Sequence, residues 1–227
     1  LGATSLPANR DGVHVDPKAW RRMDGYGVGS PIVLYFEDLD VSNLPNEHAI
    51  ADSIADDSPI LLFAVKDDAL ERVPCFAELD PMGAWDGEAM LFIRPAVILE
   101  PGTRYIVALR DLVRRDGTAI TPSIAFQALR ASQTADTPLA ARQARFDEIF
   151  SFLKAEGIDL ADLVLAWDFN TASHEALHGA MLHVRDKGFE EVGPKGPILT
   201  VTEQAPDEPS RPGFELFEPE ESPHIAI

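Results

Sequence analysis

The sequence predicts a mainly β fold: an Ig-like antiparallel β-sandwich with two flanking helices and an extended, acidic, Pro-rich tail. Three observations predict it. Between residues 30 and 126, short apolar runs with alternating faces recur, separated by Pro, Gly and Asp turns. After Pro122 the apolar period becomes helical. From Glu191 onward prolines and acids dominate. Residues 1–190 are therefore expected to form the sandwich, with helical segments at 138–156 and 172–187, and residues 191–227 a linker ending in the first strand of a further domain.

Residues 1–29 read as coil with turns. In residues 30–37, Ile32, Leu34 and Phe36 share one face of a strand, with Val33, Tyr35 and Glu37 on the other. A short helix is expected between Leu44 and Ala55, where Ala49, Ile50 and Ile54 fall on one face. The turn Asp56-Asp57-Ser58-Pro59 leads to a second strand at 60–65, and strands at 73–79 and 89–94 follow, the latter stopped by Pro95. After the turn Glu100-Pro101-Gly102-Thr103, Tyr105, Val107 and Leu109 alternate with Ile106, Ala108 and Arg110 in the clearest strand of the chain. Asp116-Gly117 is a hairpin signal.

Thr137-Pro138 has the form of a helix start, and Phe146, Ile149, Phe150 and Leu153 follow at i, i+3, i+4, i+7 before Gly157 closes the helix. Leu163, Leu165, Trp167 and Phe169 then alternate with Val164, Ala166 and Asp168, so Trp167 is expected on the core face beside Leu163, Leu165 and Phe169. Thr171 or Ser173 caps a second helix whose stripe of Leu177, Ala180, Met181 and Val184 is expected to pack. Residues 191–227 hold 7 of the 18 prolines and eight acids against two bases, which forbids a continuous helix or a central strand.

Lys and Arg number 19 against 38 Asp and Glu, a net charge of −19. That balance argues against nucleic acid and against an anionic membrane surface. No run approaches the roughly 18 apolar residues of a membrane span, so no transmembrane segment is expected. The sequence opens Leu1-Gly2-Ala3-Thr4 with neither a basic nor an apolar leader, so a signal peptide is expected to be absent or already removed. Cys75 is the single cysteine, which excludes an intrachain disulfide; it reads as a small buried hydrophobe.

Four patterns bear on chemistry. Gly25-Tyr26-Gly27-Val28-Gly29 lacks the Gly-Lys-Ser/Thr ending of a phosphate loop and precedes its strand, so it reads as a turn. None of the eleven serines has the flanking glycines of a nucleophile elbow, so no catalytic residue is expected in this chain. His174-Glu175-Ala176-Leu177-His178 matches the zinc-helix pattern, with His183 and Glu190 as conceivable third ligands. The longer form of that motif fails, because its glycine and histidine positions hold Met181 and Val184; the expectation is an amphipathic helix without a metal site. Glu37-Asp38-Leu39-Asp40 and Asp67-Asp68 lack the spacing of a calcium loop and read as solvated acids. No cofactor is expected.

Several stretches together carry a resemblance. The lead-in Trp20-Arg21-Arg22-Met23-Asp24-Gly25-Tyr26-Gly27-Val28-Gly29-Ser30-Pro31-Ile32 resembles an Asn-Asp-Gly-Phe-Ser-Pro-type approach to a first strand. Ile93-Arg94-Pro95-Ala96 with the run from Leu99 to Leu109 looks like a penultimate hairpin, and the run from Leu165 to Ser173 like a closing strand. Together they are similar to the N-terminal β-sandwich region of the bacterial virulence-factor lipase family, over roughly residues 20–188. That family couples such a region to an α/β-hydrolase domain. The resemblance carries over no catalytic residue, and it departs at Tyr26-Gly27, where Phe-Ser is expected.

What the resemblance implies is a non-catalytic accessory domain or chain of a secreted or cell-surface bacterial serine hydrolase acting on carboxylic esters. Residues 214–227 would contact the hydrolase part, and the strand-like ending Pro223-His224-Ile225-Ala226-Ile227 is expected to continue into it. The alternatives are a stand-alone extracellular binding or adhesion module and, third, a zinc hydrolase using His174 and His178.

Overall fold

The computed structural model describes residues 6–18, 23–81, 89–135 and 137–193. Along the chain the strands are β1 (Ile32–Leu34), β2 (Leu39–Asp40), β3 (Ile60–Lys66), β4 (Ala69–Arg72), β5 (Cys75–Leu79), β6 (Leu91–Pro95), β7 (Arg104–Arg110), β8 (Val113–Arg114) and β9 (Leu163–Asn170). The helices are α1 (Ile124–Arg130), α2 (Ala140–Ala155) and α3 (Ala180–Val192). All named strand pairs are antiparallel. Among the described residues helix and strand are comparably numerous, so the fold is mixed α/β with several antiparallel sheets and three helices, and the mainly-β expectation is supported only in part.

Two sheets face each other across a shared core. The first has the order β4-β3-β7-β9 and the second β1-β6-β5; β2 and β8 form a separate two-stranded ribbon. Ile60, Leu62, Val107 and Leu109 of the larger sheet pack with Cys75, Ala77, Leu91 and Ile93 of the smaller one. The larger sheet is buried on its other face as well. There Leu61, Phe63, Ile106 and Ala108 meet Phe126 of α1 and Ile149, Phe150 and Leu153 of α2. Burial on both faces explains why β3 and β7 read as near-continuous apolar runs, while β5 and β6 alternate.

Local chemistry accounts for the elements missed in the sequence. Strand β4 follows β3 through a two-residue turn in which Asp67 and Asp68 both have positive φ, 48° and 63°; aspartates here take the left-handed positions that Asn-Gly usually fills. Helix α1 begins at Ser123, whose hydroxyl accepts from the Phe126 amide at 3.2 Å. The helix expected between Leu44 and Ala55 is a 3₁₀ turn, Ile50–Ile54, and the strand expected over 30–37 is regular only over Ile32–Leu34. Arg72 donates to the Ser53 carbonyl, which anchors that 3₁₀ turn against the β4 edge.

Helix α2 carries the expected face, and Gly157 (φ 77°) ends it. The Gly157 amide donates to Lys154 and the Ile158 amide to Leu153, a Schellman closure. Strand β9 contains an irregularity opposite Leu109/Arg110. It turns Leu163 toward the helices and Val164 toward the inter-sheet core, so Leu163 does not share the face of Trp167 as expected. Trp167 is half-buried against the inter-sheet core, on an edge strand.

The chain divides into two compact units, Leu1–Ala180 and Met181–Ile227. In the first, a π-helical turn, Glu175–Gly179, follows β9. In the second, α3 continues to Val192 and has no buried residue, so the stripe expected to pack is instead exposed, Met181 at 77% and Val184 at 70%.

Candidate functional site

The three stretches that carry the family resemblance meet in one place. The lead-in crosses the end of β9 as a short parallel bridge, Tyr26 against Thr171. The Tyr26 amide donates to the Asn170 carbonyl at 2.9 Å, and the Ala172 amide donates to the Tyr26 carbonyl at 2.7 Å. The Leu99 amide donates to Val28, and the Gly102 amide to Ala172. Thr171, itself buried, ties the hairpin in: its hydroxyl accepts from the Thr103 amide at 2.9 Å and donates to the Glu100 carbonyl at 2.5 Å.

Gly25 is required at this crossing. A Cβ there would lie well inside 3.0 Å of the Thr171 carbonyl carbon and oxygen and of the Ala172 nitrogen, all backbone atoms. One residue earlier, the Asp24 carboxylate accepts from the Ser173 amide at 3.0 Å, and hydrogen bonds from the Ser173 hydroxyl first and its amide second hold the Asp24 carboxyl below its usual range. Ser173 in turn accepts from the Ala176 amide at 3.1 Å, capping the helical turn that follows. Tyr26 packs edge-on against Phe169, which stacks on Tyr105 at 5.5 Å. Gly-Tyr-Gly is thus the backbone crossing of a clasp, and Tyr26 itself remains 65% exposed.

No family model matches the chain, and no curated protein or solved structure matches it. The residues of the chain therefore carry the reading of the site.

His174 and His178 do face each other, with ring centroids 5.8 Å apart, and both are exposed. The carboxylate of Glu175 folds against Gly179, in the space a side chain there would fill. His183 is exposed on α3, and Glu190 Oε2 is bonded to Lys187 Nζ at 2.5 Å. Among the described residues, no three His, Cys, Asp or Glu side chains are grouped to hold a metal ion. The acids singled out in the sequence have turn roles: Asp38, Asp67 and Asp68 sit at positive φ, and Asp40 accepts from the Ser42 amide at 2.9 Å. Cys75 is buried between the sheets, and burial pushes its thiol up to about 11. Residues 214–227, expected to contact a hydrolase part, lie outside the described residues, as does Trp20 of the lead-in.

Sequence reasoning missed a charged cluster behind the clasp. Asp168, with a side chain only 8% exposed, accepts from Arg104 Nε at 2.6 Å and from Arg145 at 2.8 and 2.6 Å, while Arg104 also pairs with Glu148 at 2.9 Å. In the sequence Asp168 marks only the polar side of a strand; the Arg104–Asp168 diagonal exists only in the β7–β9 register. It pins α2 to the sheet. A shallow cleft of about 190 Å³ lies beside the β4 edge, between Lys66, Val73, Ile98 and Tyr105. Lys66 spans it between Glu71 at 2.8 Å and Glu100 at 2.7 Å, so its charge is already balanced.

Proposed function

We propose that this chain is a non-catalytic accessory domain of a secreted bacterial serine hydrolase of the lipase or esterase kind. In this reading its two facing sheets are an Ig-like sandwich, and residues 214–227 join it to the catalytic α/β-hydrolase part. The single observation that supports it most is the clasp. The lead-in, the hairpin and the closing strand, separated by up to 149 positions, are knit by main-chain hydrogen bonds and by the Ser173 amide on the Asp24 carboxylate into one structural unit at the point where the chain leaves β9. A shared unit of that kind is what makes a three-part sequence resemblance coherent, since each part constrains the other two. Fluorophosphonate labelling and p-nitrophenyl ester turnover test the reading. The chain alone stays unlabelled and inactive; joined to or mixed with the hydrolase part that this reading requires, the assembly labels at a serine of that part. Labelling of a serine within residues 1–227, or an assembly that does not label, refutes it.

A stand-alone binding module is the second reading, favoured by the outer face of the smaller sheet. There Val33 is 47% exposed beside half-buried Phe92 and the Arg94–Glu78 pair. Further Ig-like repeats encoded after Ile227, without a hydrolase, would select it.

A further inference from the structure

Strand β9 runs into a helical turn whose start is capped twice. Ser173 Oγ accepts from the Ala176 amide at 3.1 Å, and the Asp24 carboxylate accepts from the Ser173 amide at 3.0 Å. The turn that follows, Glu175–Gly179, is π-helical, a rare form found mostly as single turns and frequently at functional sites. It brings His174 and His178, at i and i+4, to one side of the turn, both exposed and with ring centroids 5.8 Å apart. Among the described residues no hydrogen bond or ion pair engages either ring. By contrast His14 Nδ1 is bonded to the Leu6 carbonyl, and His48 Nε2 lies 3.6 Å from Glu47.

We propose that His174 and His178 form a two-imidazole chelate for a borderline divalent ion, Cu²⁺, Ni²⁺ or Zn²⁺, held reversibly at the surface. Two rings bound to one ion at about 2.0–2.1 Å, in tetrahedral or square geometry, stand with centroids about 4.5–5.2 Å apart, so the two rings need to close by only about an ångström. Torsions of two exposed side chains supply that movement. The longer metalloprotease motif fails at Met181 and Val184, which argues against a closed or catalytic site. A two-ring chelate needs no third side chain, because water fills the remaining positions. Imidazole ligands favour these ions over Mg²⁺ and Ca²⁺, which prefer oxygen. Glu175, in the first turn, sets a carboxylate against Gly179 and offsets the positive end of the helical turn, and a net charge of −19 concentrates cations at the surface. The ion is a labile ligand here and not a hydrolytic centre, and the site stands independently of the function proposed above.

Isothermal titration of the full chain with Ni²⁺, in a buffer that does not coordinate metals, tests this. The expected result is one site per chain. His174→Ala and His178→Ala should each weaken it by about tenfold or more, since losing even a group behind a ligand costs about 10–100-fold in metal affinity. The double variant should lose little more than either single one, because a chelate is lost with its first ring. Both side chains are exposed, so the variants should keep the parent's far-ultraviolet circular dichroism. Replacing His14, His48, His183 and His224 together should leave the site intact. A chain that takes up no Ni²⁺, single variants that bind as tightly as the parent, or two single losses that add in full in the double variant, overturn the proposal.

Discussion

Replacing Gly25 with alanine should cost far more than a surface glycine ordinarily does. The new methyl group would run into the Thr171 carbonyl and the Ala172 nitrogen, backbone atoms of an anchored strand end that cannot rotate away. Relief requires the lead-in to lift off β9. That breaks the Tyr26–Asn170 and Ala172–Tyr26 main-chain bonds and the Asp24–Ser173 bond, and separates Tyr26 from Phe169. Three hydrogen bonds at roughly 0.5–1.5 kcal/mol each, and an aromatic contact of similar size, total about 2–6 kcal/mol. The smaller unfolded-state entropy of alanine returns about 0.4–1 kcal/mol, leaving a net loss of about 3 kcal/mol. For a protein of this size that lowers Tm by about 6–12 °C. Gly27→Ala is the control: its Cβ would meet only the Ser30 hydroxyl, a side chain free to turn, so the loss should stay under about 1 kcal/mol. Thermal melts and urea titrations of the two variants and the parent decide the matter. A Gly25→Ala chain as stable as the parent, or no less stable than Gly27→Ala, would refute the clasp.

Asp168→Ala removes the shared acceptor of two arginines and leaves Arg104 with Glu148 alone, so urea unfolding should show a loss of about 3–5 kcal/mol, the size expected for breaking a buried ion pair. The Cys75 thiol, buried and raised to about 11, should not react with a disulfide reagent at pH 8 in the native chain and should react fully in concentrated urea. The Asp24 carboxyl is lowered by its bonds to Ser173, so its contribution is present above the unfolded value of 3.8 and is lost as pH falls through the lower folded value. The stability gap between parent and Asp24→Ala should therefore be wide at neutral pH and shrink in strong acid; a gap independent of pH would contradict the assignment.

Much of the fold was legible because its signals are local. The alternation in Tyr105–Arg110, the helical spacing of Phe146, Ile149, Phe150 and Leu153, and Gly157 as a C-cap each act over a few residues, and each is found where the sequence placed it. What was misread depends on distant partners. Strand β4 is four residues long, and its only announcement is a turn of two aspartates in place of Asn-Gly. The β9 irregularity that reverses Leu163 has no sequence mark, because it is imposed by pairing with Leu109 and Arg110. The apolar stripe of α3 has the same pattern as a packed one; periodicity shows that a face exists, not what covers it. In the sequence Gly25 reads as part of a turn, and only the nearness of Thr171, far along the chain, makes it a tight crossing.

The strand order of the larger sheet also governs how the chain reaches this structure. Strand β3 pairs with β7, for example Ile60 with Leu109, and β7 pairs with β9, for example Tyr105 with Phe169. Each pairing closes a loop of tens of residues, and the two closures are stacked on one central strand. Only the β3–β4 hairpin in this sheet forms from neighbouring residues. The entropy of both closures must be met before the apolar runs of β3 and β7 can be buried, which places folding in the slow, non-local regime of milliseconds to seconds. The same two strands, covered on both faces once formed, hold the amides that exchange last with solvent.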